Sequence, residues 1–545
     1  MTDLTERLMR QYGVMKANRA PWESHWDSIA RRVLPRGNPI GGLQSPGSRR
    51  TQDIFDSTAS MGLERFAAAM EGLVAPRAQR WHGLASPDRK LNAKPQIKKF
   101  FDQLNDLLFE TRYAASSGFA TQLHEVMISL GWCGTGPMWI EDDLQRGIIY
   151  TALDISEVCI AVDKSGRVDT VGREFEWTAR QAIQKWGEAG LPKDILDARS
   201  QPDRKFKFIH MIAPREDFNP ARADAKGMRW GSWYMLANDK SLISEGGFHT
   251  MPVPVCRYTT APREEYGRSV AMMALPDIKM ANEIAKGMVR AMHKMLDPPL
   301  LLPDDGALTR MQTRPGALNY GGVNSRGEQL VRPLQTGGDF RAGDKLLEDT
   351  RRNINDAFLV TLFQTLATTG SDRMTATEVL ERLRERGVLL APATGRIESE
   401  LLGPMIEREI DIHARAGRLP PMPAELEDAG GNFKIVYDNP MSRAAKAEQA
   451  GGFFQVVERL APIAAIDPTV YDAFNFQAAA AGVAEISGVP QAWLRTADEL
   501  AAKEQERTTA AEAAALTEAA PQISKAALDM AKAESLGGGD VAVAA

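Results

Sequence analysis

EEYGRSVAMMALPDIKMANEIAKGMVRAMHKMLDPP, residues 264–299, opens on a turn-like Tyr266, Gly267, Arg268 and Ser269 and closes on Asp297 and two prolines. Between them Ile278, Ala281, Ala285, Met288, Met292 and Met295 recur at helical spacing, with Lys279, Glu283, Lys286, Arg290 and Lys294 on the other side. That pattern predicts an amphipathic helix over about 275–296. The plainer reading lays it on an ordinary core. The next segment is different in kind. Residues 297–343 are dense in Pro and Gly, lack a helical period, and read as turns and small strands in a compact insertion. A second long helix is expected over about 344–365, with Leu347, Ile354, Phe358 and Leu362 as its face. A short polar break, TLATTGSDRM, comes next. Thr375 and Glu378 then form a capping box for a further helix. Pro404 should kink the helix in RIESELLGPMIEREIDIHARAG. Helix, insertion, helix, loop, helix describes an elongated element with a small domain at its tip.

Outward from this stretch, the first quarter reads as helices. Trp22, Trp26, Ile29 and Val33 share a face, with Pro21 expected as the first helical residue. Leu63, Phe66, Met70 and Leu73 make a second stripe, and Ile97, Phe100, Phe101, Leu104, Leu107 and Leu108 a third. FATQLHEVMISLG should end with Gly131 just past the helix. Short β-branched runs then predict strands: PMWIED, GIIYTAL, EVCIAVDKSGRVDTVGREF, KFKFIHMI, MRWGSWYMLAND and SLISEGGF. Lys164, Ser165 and Gly166 are expected at a hairpin tip, and Thr178 with Gln181 as a capping box for a helix ending at Gly187. The class is α+β, mainly helical. Residues 441–500 are again helical in pattern. The last 45 residues hold 16 alanines and read as a marginal helix fraying into disorder.

A chain of 545 residues is too long for one core and implies two or more domains. The net charge of −5 argues against a protein that grips nucleic acid over a large basic surface. The charge is uneven, however: residues 1–100 carry 17 Lys and Arg against 9 Asp and Glu. Three cysteines without a CxxC pair argue against a disulfide framework or a zinc site, and fit a reducing cytoplasm. MTDLTERLMRQYG lacks the apolar core of a signal peptide, and no apolar run is long enough for a membrane span. GxxxxGK[ST], HExxH and GxSxG are all missing. WCGTGP is an incomplete phosphate-loop pattern and reads as a helix-to-strand turn. Glu141, Asp142 and Asp143 could hold a divalent metal, or simply end an acidic strand. The seven histidines are scattered. No catalytic constellation, cofactor or metal is expected.

Several strings carry a resemblance. DSTASMGLERFAAAMEGLVAPRAQRWHGL, GRVDTVGREFEWTARQAIQKWG, EEYGRSVAMMALPDIKMAN, DRMTATEVLERLRERGVLLAPATGRIESELLGPMIEREI, GRLPPMPAEL and YDNPMSRAAKAEQ are similar, in this order, to the head-to-tail connector (portal) proteins of short-tailed bacteriophages. They extend over about residues 50–450. The resemblance implies a homo-oligomeric ring of about twelve copies at one capsid vertex, closed by a heterologous contact. Double-stranded DNA would pass through its channel without sequence-specific contacts. It implies a wing (1–274 and 375–431), stem helices (275–296 and 344–364), a clip (297–343), a tunnel loop (365–374), a crown (432–500) and an Ala-rich tail (501–545). The tunnel loop would present Ala367, Thr368, Thr369, Gly370, Ser371, Asp372 and Arg373 to DNA. The stem interface would use Ile278, Ile284, Met288, Met292, Met295, Ile354 and Phe358. Leu300, Leu301, Leu302 and Tyr320 would form a docking surface on the clip. Implied partners are the terminase large subunit, then tail adaptor or nozzle proteins, together with major capsid and scaffolding proteins. Implied surroundings are the virion, after assembly in the host cytoplasm, and no membrane. Two other readings stay open: a metal-dependent enzyme using dispersed carboxylates, and a low-order tail adaptor or scaffold.

Overall fold

A computed structural model describes residues 2–36, 51–363 (except 78, 93, 144–145, 189, 302–311, 313, 315, 321 and 335–339), 390–438, 452–486 (except 464 and 466), 499, 502–503 and 505–510. The chain forms two compact units. The first comprises Met1–Leu84, Asp102–Met422 and Lys434–Ser442, the second Ala85–Phe101, Pro423–Phe433 and Arg443–Ala545.

The first unit begins with helix α1 (Thr2–Val33). Pro21 lies inside this helix, not at its start. A proline there removes one backbone hydrogen bond and crowds the preceding turn. Tertiary contacts outweigh that cost. Arg19 and Glu23 pair across Pro21 at 2.9 Å. The Arg19 guanidinium also donates to the carbonyls of Val158 (2.9 Å) and Ile155 (3.3 Å). Trp22 and Trp26 pack on Tyr266 at 5.9 and 5.3 Å between ring centroids. Helix α2 (Thr58–Val74) and strand β1 (His82–Ala85) follow, then the short α3 (Arg89–Asn92), α4 (Pro95–Tyr113) and α5 (Phe119–Trp132). α3 and residues 95–101 of α4 belong to the second unit.

Gly131 is within α5 rather than beyond it. A Cβ there would sit 2.4 Å from Leu63 Cδ1, so the missing side chain lets α5 close on α2. The left-handed residue after the helix is Gly134, at φ +79°, where a Cβ would lie 2.5 Å from the Gly267 carbonyl oxygen. WCGTGP thus does turn a helix into a strand.

Strands β2 (Thr135–Asp143) and β3 (Gly147–Ala152) pair antiparallel. A five-stranded antiparallel sheet is built from β4 (Val158–Val162), β5 (Val168–Thr178), β6 (Lys205–Pro214), β7 (Trp230–Leu236) and β8 (Leu242–Phe248), in sequence order. Between β5 and β6 lie α6 (Ala179–Trp186) and α7 (Lys193–Asp197). The expected capping box at α6 is present, with Gly187 at φ +73° after it. Alternation along β6 explains the layering. Ile209 and Met211 face Leu8, Tyr12 and Met15 of α1, while Phe206 and Phe208 face Ala182 and Ile195 of α6 and α7. β9 (Val255–Arg257) joins the other edge of β2.

Helix α8 (Val270–Leu296) starts five residues earlier than the periodicity predicts. Ser269 caps it: its Oγ accepts from Met272 N at 3.0 Å and donates to the Trp132 carbonyl at 2.9 Å. β10 (Leu300–Leu301) pairs with β11 (Arg332–Pro333). Helix α9 (Phe340–Ala357) begins before 344 and is interrupted, not continuous to 364. Leu359 takes φ +59°, after which residues 360–363 are helical again. Residues 390–397 are helical and run into a wide π turn (Glu398–Leu402) and α10 (Gly403–Arg415). The Gly403 N–H reaches back to the Glu398 carbonyl, the local distortion expected around Pro404. α11 (Ala424–Asp428) belongs to the second unit, and β12 (Lys434–Tyr437) pairs with β1.

In the second unit residues 452–463 are helical, followed by a 3₁₀ turn (Pro468–Ala473) and α12 (Phe476–Ile486). Phe453, Phe474 and Phe476 gather there at about 6 Å between rings. The capping box at Thr375 and Glu378 and the tail beyond 510 lie outside the described residues.

Candidate functional site

The helix pair α8 and α9 is the element that sequence singles out, and its packing changes along its length. The two run antiparallel: Met288, late in α8, sits beside Gly343, early in α9. Their bases are fixed by a polar joint. Asn282 Oδ1 accepts from the backbone N–H of Phe55 (2.7 Å) and Asp56 (3.0 Å), while its Nδ2 donates to Ile278 O at 2.8 Å. Asp56 in turn accepts from Arg351 Nε on α9 at 2.7 Å and from Thr58 N at 2.9 Å. Burial pushes the Asp56 carboxyl up, but bonds from Thr58 and Arg351 outweigh it and hold it below the usual range. One loop before α2 therefore grips both helices.

Below the joint the apolar stripe is closed. Ile278 on α8, Leu347 and Ile354 on α9, and Phe358 just after it are buried within the chain itself. Phe358 presses on α2 where Gly62 leaves room, with ring atoms 3.2 Å from the position a Cβ would take. Ile284 and Met288 are half-buried. Beyond Ala285 no residue of α8 is buried. Met292 is 54% exposed, Met295 60% and Leu296 82%, with Val289 and Leu346 also bare. The residues expected at one interface thus fall into two groups: an anchored half and an uncovered half.

The segment between the helices is tied at its base by β10 and β11 and by Leu334 N donating to Pro299 O at 2.8 Å. Leu300 is half-buried there, whereas Leu301 and Tyr320 are exposed, Tyr320 at 86%. Leu302 lies outside the described residues. So do Ala367, Thr368, Thr369, Gly370, Ser371, Asp372 and Arg373.

Chemistry elsewhere is enclosed or internally satisfied. Arg112 and Glu409 form a bidentate pair (2.5 and 3.1 Å), both side chains sealed from solvent. Tyr150 donates to the same carboxylate at 2.5 Å, His82 Nε2 is 2.8 Å from the guanidinium, and the Trp81 ring lies under it at 4.7 Å. Burial pushes the Tyr150 hydroxyl far up and the His82 imidazole far down. Glu141 pairs with Lys185 at 2.7 Å. Asp143 accepts from Arg146 N at 2.9 Å across the β2–β3 turn, so the carboxylate run ends an acidic strand. Its three side chains alternate between the two faces of the sheet. Among the described residues no three His, Cys, Asp or Glu side chains gather as a metal site. Cys133, Cys159 and Cys256 are free and buried. A cleft of about 1150 Å³ opens between the 163–168 hairpin tip, the 249–265 loop and the helix leading into α10. Its buried cation, Arg257, is spent on Glu400 (2.6 Å) and the carbonyls of Gly166 and Glu265.

Sequence reasoning missed the polar joint. Asn282 and Asp56 are 226 residues apart, and nothing local marks either as a partner.

The model of the family described as bacteriophage head to tail connecting protein matches residues 5–494, and the chain belongs to that family. It is 28% identical over 496 residues to a probable portal protein of Bordetella phage BPP-1, covering 90% of this chain and 89% of that protein. It is 27% identical over 531 residues to the portal protein of Salmonella phage epsilon15, covering 95% and 94%. Among solved structures, a chain from the virion of a native gene transfer agent (GTA) particle matches with a TM-score of 0.35 at 12% identity, covering 73% of this chain and 85% of that one. The family is structural, and the chain is a head-to-tail connector component of the phage particle. Among the described residues no helix is long and apolar enough to cross a membrane.

Proposed function

We propose that the chain is the portal subunit at one capsid vertex, forming a closed ring of about twelve copies through which double-stranded DNA is packaged and ejected. The uncovered half of α8 carries this reading. Met292, Met295 and Leu296 stand bare on a helix whose base is rigidly held. Covering each such side chain is worth about 1.5–3 kcal/mol. A neighbouring copy covers them in a ring, and the same contact repeated by rotation closes it. α8 and α9 then serve as the stem and residues 297–343 as the clip. Residues 365–374 serve as the tunnel loop, 1–274 with 375–431 as the wing, and 432–500 as the crown. The exposed Leu301 and Tyr320 of the clip suit a docking role, first for the terminase motor and then for tail adaptor proteins. Capsid and scaffolding proteins are further partners.

No catalytic step is assigned to the chain. The buried charged pair of Arg112 and Glu409 is sealed from any substrate.

Negative-stain micrographs of the purified chain test the assembly. End views are expected to show rings of about twelve subunits around a central hole. A folded, uniform monomer at all concentrations sinks the ring.

A further inference from the structure

The basic excess of the first hundred residues is not spread evenly once pairing is considered. In α1 the cations are mostly spent internally. Arg7 pairs with Glu216, Lys16 with Glu174, Arg19 with Glu23 and Arg31 with Asp27, all within 3 Å. The second group, at residues 89–99, is different. Arg89, Lys90, Lys98 and Lys99 are exposed, and no acidic partner stands against them among the described residues. Only Lys94 of this group is paired, with Glu425 at 2.8 Å.

The group is locally rigid. Lys94 N donates to Leu91 O at 3.0 Å and Lys98 N to Lys94 O at 3.1 Å, so α3 and the first turn of α4 form one folded run. Ile97 and Phe100 turn inward and are buried. The outer surface of the run is left mainly to these cations, with Pro95 and Gln96; the one exposed carboxylate at its start, Asp88, is held by the Lys90 backbone N–H at 2.9 Å.

We propose that this face of the second unit is a contact surface for the phosphate backbone of double-stranded DNA, separate from the helix pair. The inference rests on the portal reading only for the presence of DNA. Three features favour DNA over a protein partner. The face is rich in lysine, which is depleted in protein–protein interfaces, and its apolar residues point away. Lysine presents a point charge, suited to phosphate oxygens and unsuited to fixed bidentate reading of bases. α4 begins at Pro95 within the same run, and the first turn of a helix adds a partial positive charge. The contact is electrostatic, independent of sequence and readily broken, as a translocating duplex requires.

The test is fluorescence anisotropy of the assembled protein with a labelled duplex of about 30 base pairs, over a series of salt concentrations. The variant Arg89→Gln/Lys90→Gln/Lys98→Gln/Lys99→Gln is compared with wild type and with the α1 control Arg7→Gln/Lys16→Gln. The patch variant is expected to bind at least tenfold more weakly at low salt. Its slope of log K against log salt should flatten by about 3 to 4, one phosphate per lost cation. The control and a duplex of unrelated sequence should match wild type. Unchanged affinity and slope in the patch variant would overturn the proposal. So would an equal loss in the control, which would make the effect one of net charge. Micrographs of the same samples keep the two ideas apart: rings with unaltered DNA binding remove this surface alone, and a failure to form rings counts against the portal reading alone.

Discussion

At the scale of single residues, burial decides which side chains respond to pH. His210 lies inside the five-stranded sheet, stacked on Tyr234 at 3.8 Å and bonded through Nε2 to the Ser232 hydroxyl at 2.9 Å. Burial, with smaller help from Arg173 and Lys185, pushes its pKa from 6.5 down to about 3. The unfolded chain therefore takes up a proton near pH 6.5 that the folded chain refuses. His210 costs nothing above that pH. Below it, stability falls by up to roughly 1.4 kcal/mol per pH unit until about pH 3. His210→Phe, which keeps the ring stack, should make the thermal midpoint less sensitive to acid between pH 7 and 5. At neutral pH it should lower the midpoint, because Ser232 loses its partner, and the deficit should shrink as the pH falls. Parallel midpoint curves for variant and wild type would show that His210 carries none of the acid sensitivity. Sequence marks His210 only as one of seven scattered histidines. Its burial follows from strand pairing, which brings Tyr234 and Ser232 alongside from more than twenty residues away.

At the scale of elements, the strands and the α6 cap were legible because their signals are local: alternation of apolar residues, or a Thr and a Gln three apart. Two of the corrections among the helices have a common cause. Pro21 and Gly131 both look like punctuation, and both are interior because distant residues reach them. Arg19 bridges Pro21 and ties that helix to β4, and Leu63 of α2 fills the space over Gly131. No window of sequence contains those neighbours. A consequence can be measured at Gly131. It is helical, so alanine there improves intrinsic propensity by about 1 kcal/mol. The added methyl nevertheless meets Leu63 Cδ1 at 2.4 Å and Phe66 Cδ1 at 3.0 Å. Overpacking of this kind costs about 1–3 kcal/mol, so the clash should win. Chemical denaturation of Gly131→Ala should show a lower midpoint with an unchanged slope. In a Leu63→Ala background the same substitution should cost less than in wild type, because the truncation opens the space the added methyl fills. A midpoint at or above wild type for the single variant would mean that α5 is not held tightly to α2.

At the scale of the whole molecule, the apolar stripe of α8 was legible as a stripe but not as two halves. Ile278 and Met292 are alike to any periodicity measure. What separates them is that α8, which packs against α1, α2, α5 and α9, keeps all of its buried residues at or before Ala285. The division makes a prediction with opposite outcomes at the two ends. Ile278→Asp places a charge in a closed core and should unfold the first unit or prevent its expression. Met292→Asp/Leu296→Asp alters side chains already in water. It should leave far-UV circular dichroism and the subunit's thermal midpoint within error of wild type. If a neighbouring copy covers these positions, the same variant must bury two carboxylates at every contact of the ring. Each uncompensated carboxylate costs several kcal/mol, and the cost recurs at each interface. Light scattering behind a sizing column should then find folded monomers or short arcs where wild type gives rings. Raising the pH should deepen the defect and lowering it should relieve it, since the protonated carboxyl is far cheaper to bury. Intact rings from the double aspartate variant would show that the bare end of α8 faces solvent in the assembly, and the closing contact would have to be sought elsewhere on the chain.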